Sequence, residues 1–102
     1  LGEMLAKENL DVVHVLTPPN IHFQTASQIL DAGVDAFIEK PLCHTQVLCQ
    51  ELRNKAAALG RTIGVSHNFL YVPAYEQLVE DVKSGRLGRI DQVEIVWNRD
   101  LG

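Results

Sequence analysis

Two residues whose side chains could take part in catalysis, Glu39 and Lys40, stand directly before Pro41. They follow the apolar stretch 34–38, which reads as a buried strand. The carboxyl ends of parallel strands lie over the crevice in which open α/β sheets bind ligands. A lysine amine at this rim would be partly desolvated, which suits proton transfer or charge stabilisation. The alternative is a surface ion pair between Glu39 and Lys40, worth less than about 1 kcal/mol. The position after a strand favours the functional role.

A second loop with polar groups begins at Thr17, after the preceding apolar stretch 11–16. Its two prolines, of which Pro18 is the first, cannot continue a strand ladder and would make the loop rigid. One interpretation places the Thr17 hydroxyl, the Asn20 amide and the loop backbone against a bound ligand. The other is a turn in which Asn20 caps the helix that contains His22. The residues alone leave both interpretations open.

The histidines are expected to differ in role. His22 falls in the first helical turn, where it would contact a ligand or the loop backbone; a partly exposed helix residue is the favoured alternative. His14 falls between apolar residues in mid-strand, which is typical of a core histidine with satisfied hydrogen bonds. Ser66 and His67 end a third strand, but adjacent strand residues point to opposite faces and no nucleophile elbow is visible. Hydrolytic catalysis is therefore not expected.

Strands and helices alternate along the first two thirds of the sequence. Apolar stretches predict strands at 11–16, 34–39 and 61–66, and apolar stripes that end at glycines predict helices at about 21–32 and 45–59. Near-continuous apolar strands are typical of sheets covered on both faces. Strands that alternate with helices of this length imply right-handed crossovers and a parallel sheet. The predicted fold class is α/β.

The pattern changes after Ser66. Pro73 suits a first helical position, and the apolar face that follows it, up to Gly85, predicts a helix. The stretch 93–98 alternates apolar and polar residues, which favours a strand with one face in water. A domain boundary is therefore expected near 67–72.

Composition narrows the class of protein. The chain has 102 residues, a net charge of −4, and hydrophobic and charged fractions of 46% and 22%. The acidic balance argues against a nucleic-acid partner, and no apolar run suggests a membrane span or a signal peptide. Cys43 and Cys49 lack the Cys-x-x-Cys spacing and read as unpaired thiols of a cytoplasmic protein, and no metal-binding spacing is present. The chain opens in what resembles the last turns of a helix and closes just after a predicted strand, so we expect a fragment of a longer protein.

Taken together, the loops resemble those of the Gfo/Idh/MocA oxidoreductases, the family of glucose–fructose oxidoreductase and inositol dehydrogenase. The pattern that carries the resemblance runs across nearly the whole chain in the family's order and spacing. It comprises Thr17-Pro18-Pro19-Asn20-x-His22, Ala32-Gly33, Glu39-Lys40-Pro41, Ser66-His67-Asn68, Pro73-Ala74 and Ser84-Gly85-Arg86-Leu87-Gly88. Any one of these pieces alone would be a weak signal.

The resemblance implies a two-domain enzyme that uses NAD or NADP. Residues 1–67 would form the C-terminal half of the NAD(P)-binding domain, that is, the second half of a Rossmann parallel sheet. Residues 68–102 would begin an α/β substrate and oligomerisation domain. The implied substrate is a small-molecule sugar, cyclitol or related polyol. The full-length protein would be a homo-oligomer, and the fragment alone would be inactive.

The resemblance also assigns roles to individual residues. Lys40 would be the catalytic lysine beside the nicotinamide. The cofactor neighbours would be Thr17, Pro18, Asn20, His22, Glu39, Lys40 and Asn68. Oxidation of a secondary alcohol by hydride transfer releases a hydroxyl proton, and an ammonium near that oxygen stabilises the developing charge and relays the proton. The redox step itself belongs to the nicotinamide.

Several features of the family pattern are missing from the sequence. The Gly-x-Gly-x-x-Gly phosphate loop and the residue that selects NAD or NADP are absent. The family's later Asp and His would fall beyond residue 102. Phe69-Leu70-Tyr71 stands where many members have arginines. The alternative function is a non-catalytic nucleotide-sensing or interaction module on a Rossmann-like fold.

Overall fold

The structure is a computed structural model of the chain, and it describes residues 1–96 and 98. The chain divides into two compact units, Leu1–His67 and Asn68–Gly102. The division falls within the range in which the sequence pattern changes. Assignment of the second unit to a substrate domain stays a prediction.

The first unit alternates strands and helices in the predicted order. After a short helix α1 (Gly2–Lys7), the chain forms β1 (Val12–Val15), a 3-10 turn (Pro19–Ile21), α2 (His22–Asp31), β2 (Asp35–Glu39), α3 (Gln46–Leu59) and β3 (Ile63–Ser66). Each predicted strand is confirmed, with bounds one or two residues shorter at its ends. The two main helices are also confirmed.

The three strands form one parallel sheet in the order β1-β2-β3. Val15 of β1 pairs with Ile38 of β2, which pairs in turn with Val65 of β3. Glu39 at the end of β2 pairs with Ser66 at the end of β3. The predicted α/β class is therefore confirmed, and the carboxyl ends of the three strands lie side by side.

Local sequence signals set the bounds of α3. The hydroxyl of Thr45, the N-cap residue, accepts a hydrogen bond from the backbone N–H of Leu48 at 3.3 Å. Gly60 ends the helix with a φ of 61°, in the left-handed region that favours glycine. These two caps satisfy backbone groups that the helix itself leaves without partners.

The core lies between the two long helices and one face of the sheet. Its buried side chains come from β1, α2, β2, α3 and the segments between them: Val15, Ala26, Ile29, Leu30, Val34, Ala36, Ile38, Cys43, Leu52 and Ala56. The opposite face of the sheet carries Val12, His14 and Phe37, all exposed. The prediction of His14 as a core histidine is therefore wrong for this chain, because alternation along β1 directs it away from α2 and α3. Its ring instead contacts that of Phe37, with centroids 4.8 Å apart.

The second unit contains a 3-10 turn (Asn68–Tyr71) and a helix, α4 (Pro73–Lys83). Pro73 occupies the first turn, as predicted. The predicted strand at 93–98 is wrong for its described part, since residues 93–96 and 98 have no strand structure. A strand needs ladder hydrogen bonds to a neighbour, and the described part of this unit offers none. Trp97, which belonged to that prediction, lies outside the described residues.

Candidate active site

The loops that follow β1 and β2 meet at one buried side chain, His22. The Nε2 atom of His22 lies 2.7 Å from the carbonyl oxygen of Thr17, and its Nδ1 atom lies 2.9 Å from that of Pro41. The side chain is fully buried. His22 was expected as a partly exposed helix residue or as a contact to ligand or loop backbone. The exposed alternative is wrong, and the loop-backbone contact is the one observed.

The hydroxyl of Thr17 is a buried polar group without a partner. Among the residues that the structure describes, its Oγ1 atom is the one buried side-chain oxygen or nitrogen that forms no hydrogen bond. A buried hydroxyl without a partner costs free energy, so such groups usually meet a ligand or an ordered water. The orphaned hydroxyl lies in the loop that was expected to contact a cofactor, and it therefore fits a polar ligand group there.

The same loop excludes one of the two interpretations of Asn20. Residues 19–21 form a 3-10 turn, and the N-cap position of α2 belongs to Ile21, with no side-chain hydrogen bond. The turn is closed by the backbone N–H of Ile21, which donates to the carbonyl of Pro18 at 3.2 Å. Asn20 is exposed and does not cap α2. Its contact with a ligand stays a prediction, as does that of Pro18.

Lys40 lies directly after β2, at the expected edge of the sheet. Its side chain is exposed, so the expected partial desolvation is not found in the described chain. Its backbone N–H donates to Oε2 of Glu39 at 3.3 Å. No salt bridge between the ammonium of Lys40 and Glu39 is present among the described residues, so the surface ion-pair alternative is not observed. The Lys40–Pro41 peptide bond is cis.

The predicted site residues thus fall into two groups. Thr17, Pro18, Asn20 and His22 share one loop and turn. Glu39 ends β2, and Lys40 begins the neighbouring loop, which His22 joins to the Thr17 loop. Asn68 begins the second unit, so its expected contact with the cofactor stays a prediction. The carbonyl oxygen of Pro41 could not be predicted as a partner from the sequence, because main-chain atoms carry no residue-type signal.

A groove of about 520 Å³ lies elsewhere in the first unit, between α3 and β3. It is lined by Leu42, Cys49, Arg53, Ile63 and Val65, among others. None of the predicted site residues lines it, and its lining is mainly apolar. The strand-end loops are therefore the better candidate for chemistry.

Cys43 and Cys49, expected as unpaired thiols, are free. Burial raises the pKa of the Cys43 thiol to about 11, with a smaller contribution from the neighbouring Cys49 thiol. A thiol with a raised pKa holds its proton at neutral pH and is a poor nucleophile. Cys43 is thus a packing residue of the core rather than a reactive group.

The described part of the chain lacks two further classes of feature. Residues 1–96 and 98 contain no group of three His, Cys, Asp or Glu side chains arranged to hold a metal ion. Within the same residues, no helix has the length and apolar character needed to cross a membrane.

Comparison with known proteins identifies the family. The family model described as "Oxidoreductase family, NAD-binding Rossmann fold" matches residues 1–67. The chain belongs to the Gfo/Idh/MocA oxidoreductase family. The match covers the first compact unit, which carries the three-stranded parallel sheet and both strand-end loops. The expected Rossmann fold and the expected membership of an NAD-binding oxidoreductase family are therefore both confirmed.

Relatives of this Gfo/Idh/MocA chain include proteins with and without a named reaction. An uncharacterized oxidoreductase of Schizosaccharomyces pombe is 33% identical over 94 residues, which cover 92% of this chain and 26% of the relative. The D-glucoside 3-dehydrogenase of Escherichia coli is 31% identical over 87 residues, covering 85% of this chain and 25% of the enzyme. The chain thus spans about a quarter of the length of the curated relatives it matches.

Solved structures agree with the Gfo/Idh/MocA assignment. An inositol dehydrogenase homolog from Azotobacter vinelandii, solved in complex with NADH and myo-inositol, is 33% identical, with a TM-score of 0.77. The similarity covers 84% of this chain and 23% of that structure. The fold of the chain is therefore one that occurs in a solved NADH complex.

Proposed function

We propose that this chain is a segment of an NAD(P)-dependent dehydrogenase that acts on a sugar, a cyclitol or a related polyol. The observation that carries the proposal is the placement of Lys40 directly after β2, in a loop that His22 joins to the Thr17 loop. Family membership supports an NAD-binding oxidoreductase. The printed names of relatives, a glucoside dehydrogenase and a structure holding myo-inositol, support the polyol class.

One structural observation supports the binding of a nicotinamide dinucleotide by these residues. The buried Thr17 hydroxyl has no partner among the described residues and could be satisfied by a polar group of the cofactor. Thr17, Pro18, Asn20, His22, Glu39, Lys40 and Asn68 are the residues proposed to hold or flank the cofactor. When bound, the nicotinamide would supply the hydride acceptor or donor.

The chain's own contribution to the reaction is charge and proton handling by Lys40. An exposed ammonium at the carboxyl end of β2 can donate a hydrogen bond to a substrate oxygen. In the alcohol-to-carbonyl direction it stabilises the negative charge that develops on that oxygen as the hydroxyl proton leaves. Glu39, whose carboxylate accepts from the backbone N–H of Lys40, is proposed to contact the cofactor.

The proposal also covers the assembly and the location of the protein. Assembly as a homo-oligomer rests on the family resemblance alone, and a cytoplasmic location rests on the two free thiols. The proposed cofactor is NAD or NADP.

The test is a lysine substitution in the complete gene product. Lys40→Ala should lower kcat by about 10²- to 10⁴-fold, the range that a positioned acid or base supplies. The Kd for NADH or NADPH, read by nicotinamide fluorescence, should change much less. Assays with myo-inositol, D-glucosides and simple polyols would locate the substrate class.

Lys55→Ala is the matched control, because Lys55 pairs with Asp31 on the surface of the helices, away from the strand ends. It should leave kcat unchanged. Full activity in Lys40→Ala would end the proposal. So would a complete gene without a Gly-x-Gly-x-x-Gly loop upstream, which would favour the non-catalytic nucleotide-sensing module.

A further inference from the structure

His22 occupies an unusual position for a histidine at the start of a helix. It is the first residue of α2 and is completely buried, whereas its neighbour Ile21 is exposed. Its two ring nitrogens contact carbonyl oxygens of two different loops, at 2.7 Å for Thr17 and 2.9 Å for Pro41. Both contacts are within the ordinary range of hydrogen bonds. One side chain therefore connects the ends of two neighbouring strands.

The helix that carries His22 packs into the core. Three later residues of α2, namely Ala26, Ile29 and Leu30, are fully buried and form part of the hydrophobic core. The contact is therefore made from a helix that packs into the core to the two strand-end loops.

The Pro41 contact restrains the backbone next to Lys40. Glu39, before Lys40, is fixed by pairing with Ser66 in the sheet. Pro41, after Lys40, is fixed through its carbonyl oxygen by His22. The main chain of Lys40 is thus restrained on both sides, although its side chain is exposed. The same imidazole fixes Thr17, whose loop is proposed to contact the cofactor.

Both partners of the ring are acceptors, which limits what can replace it. A neutral imidazole donates through one nitrogen, whereas the imidazolium donates through both. Phenylalanine fills a similar volume but donates nothing. Glutamine carries its donor hydrogens on a single nitrogen and can serve one of the two carbonyl oxygens well.

We propose that His22 is a positioning residue. Through its contacts with Thr17 and Pro41, it holds the backbone of Lys40 in a fixed position relative to the Thr17 loop. The proposal rests on the proposed function of Lys40, and it adds that His22 is the residue that aligns Lys40 for that function. Catalytic groups that are misplaced by about 1 Å can lose 10²-fold in rate even when binding is retained. Loss of the His22 contact should therefore lower kcat more than it weakens binding of cofactor or substrate.

The experiment is a double-mutant cycle in the complete gene product, with His22→Phe, Lys40→Ala and the combined variant. His22→Phe should lower kcat by about 10- to 100-fold. The NADH Kd and the substrate KM should each change by less than about threefold, because binding draws on many other contacts. In the Lys40→Ala background, His22→Phe should cost little more, since residues that act through one another are not additive.

Two further variants keep the test sharp. The kcat of His22→Gln should lie between those of the unsubstituted protein and His22→Phe. If His22→Phe does not fold, His22→Gln takes its place in the double-mutant cycle. His14→Gln removes an imidazole from the exposed face of the sheet and should leave kcat unchanged.

The outcomes separate the two proposals. If Lys40→Ala lowers kcat but the effect of His22→Phe multiplies with it in full, the positioning role is overturned while the function of Lys40 stands. An equal loss of NADH affinity and kcat in His22→Phe would also overturn it, since that pattern indicates a cofactor contact or general damage. If Lys40→Ala is fully active, both proposals fail.

Discussion

The ring of Phe37 covers Gly64 on the neighbouring strand. The Cδ2 atom of Phe37 lies 2.6 Å from the position that a Cβ atom on Gly64 would take. The two residues are register partners on β2 and β3. Gly64 has no positive φ, so the reason for glycine here is space rather than backbone conformation. The contact lies on the exposed face of the sheet, where Phe37 also meets His14.

This close approach predicts that Gly64→Ala destabilises the protein. The methyl group would force the Phe37 ring to shift, at a cost of about 1–3 kcal/mol, as for other overpacked sites. Thermal unfolding of the complete gene product would report a lowered Tm. Gly2→Ala is the matched control, because a Cβ there meets nothing within 4 Å.

A second variant tests the cause. In a Phe37→Ala background the ring is absent, so Gly64→Ala should cost close to nothing and the two substitutions should be strongly coupled. If Gly64→Ala lowers the Tm as much in the Phe37→Ala background as in the original protein, the alanine is destabilising for a reason other than the ring.

Sequence reasoning predicted the fold of the first unit well because its signals are local. Apolar strands and a glycine that ends a helix, such as Gly60, are each read from a few neighbouring residues. It failed where the outcome depends on distant partners. The stretch 93–96 alternates like a strand but lacks a neighbour in the described part of its unit, and His14 looks buried only if both sheet faces are covered.

The candidate site was predictable in its residue types and not in its contacts. The order of Thr17, His22 and Lys40 relative to the strands indicated which loops carry polar groups. The link between the loops runs through the carbonyl oxygens of Thr17 and Pro41, which every residue possesses. Such main-chain acceptors leave no trace in a sequence, so the buried role of His22 required the structure.

The buried thiol of Cys43 should react far more slowly than an ordinary cysteine. Desolvation raises its pKa from 9.0 to about 11, so a much smaller fraction is thiolate at neutral pH. At pH 8 the difference in thiolate fraction alone corresponds to roughly 100-fold in rate, since only the thiolate is nucleophilic. Site-resolved alkylation with iodoacetamide, followed by mass spectrometry of the native protein, measures the rate directly.

The alkylation rate of Cys43 should rise with pH, and the raised pKa of this thiol sets the pH range of the rise. As the pH rises from about 9 towards 11, thiolate accumulates and the alkylation rate of native Cys43 should climb steeply. The urea-unfolded protein supplies the control, because its Cys43 should reach half of its maximal rate near the ordinary thiol pKa, well below the pH that the native thiol needs. Equal native and unfolded rates at pH 8 would contradict a protected, protonated thiol.

The N-cap of α3 provides the last prediction. The Thr45 hydroxyl accepts a hydrogen bond from the backbone N–H of Leu48, one of the donors that the helix start leaves without a partner. Thr45→Ala should therefore lower the free energy of unfolding by about 1 kcal/mol, within a typical range of roughly 0.5–2 kcal/mol. Thr45→Ser keeps the hydroxyl and should retain most of the stability. Thermal unfolding of the three proteins in parallel checks the order, and a serine variant as unstable as the alanine variant would show that the hydroxyl does not cap the helix.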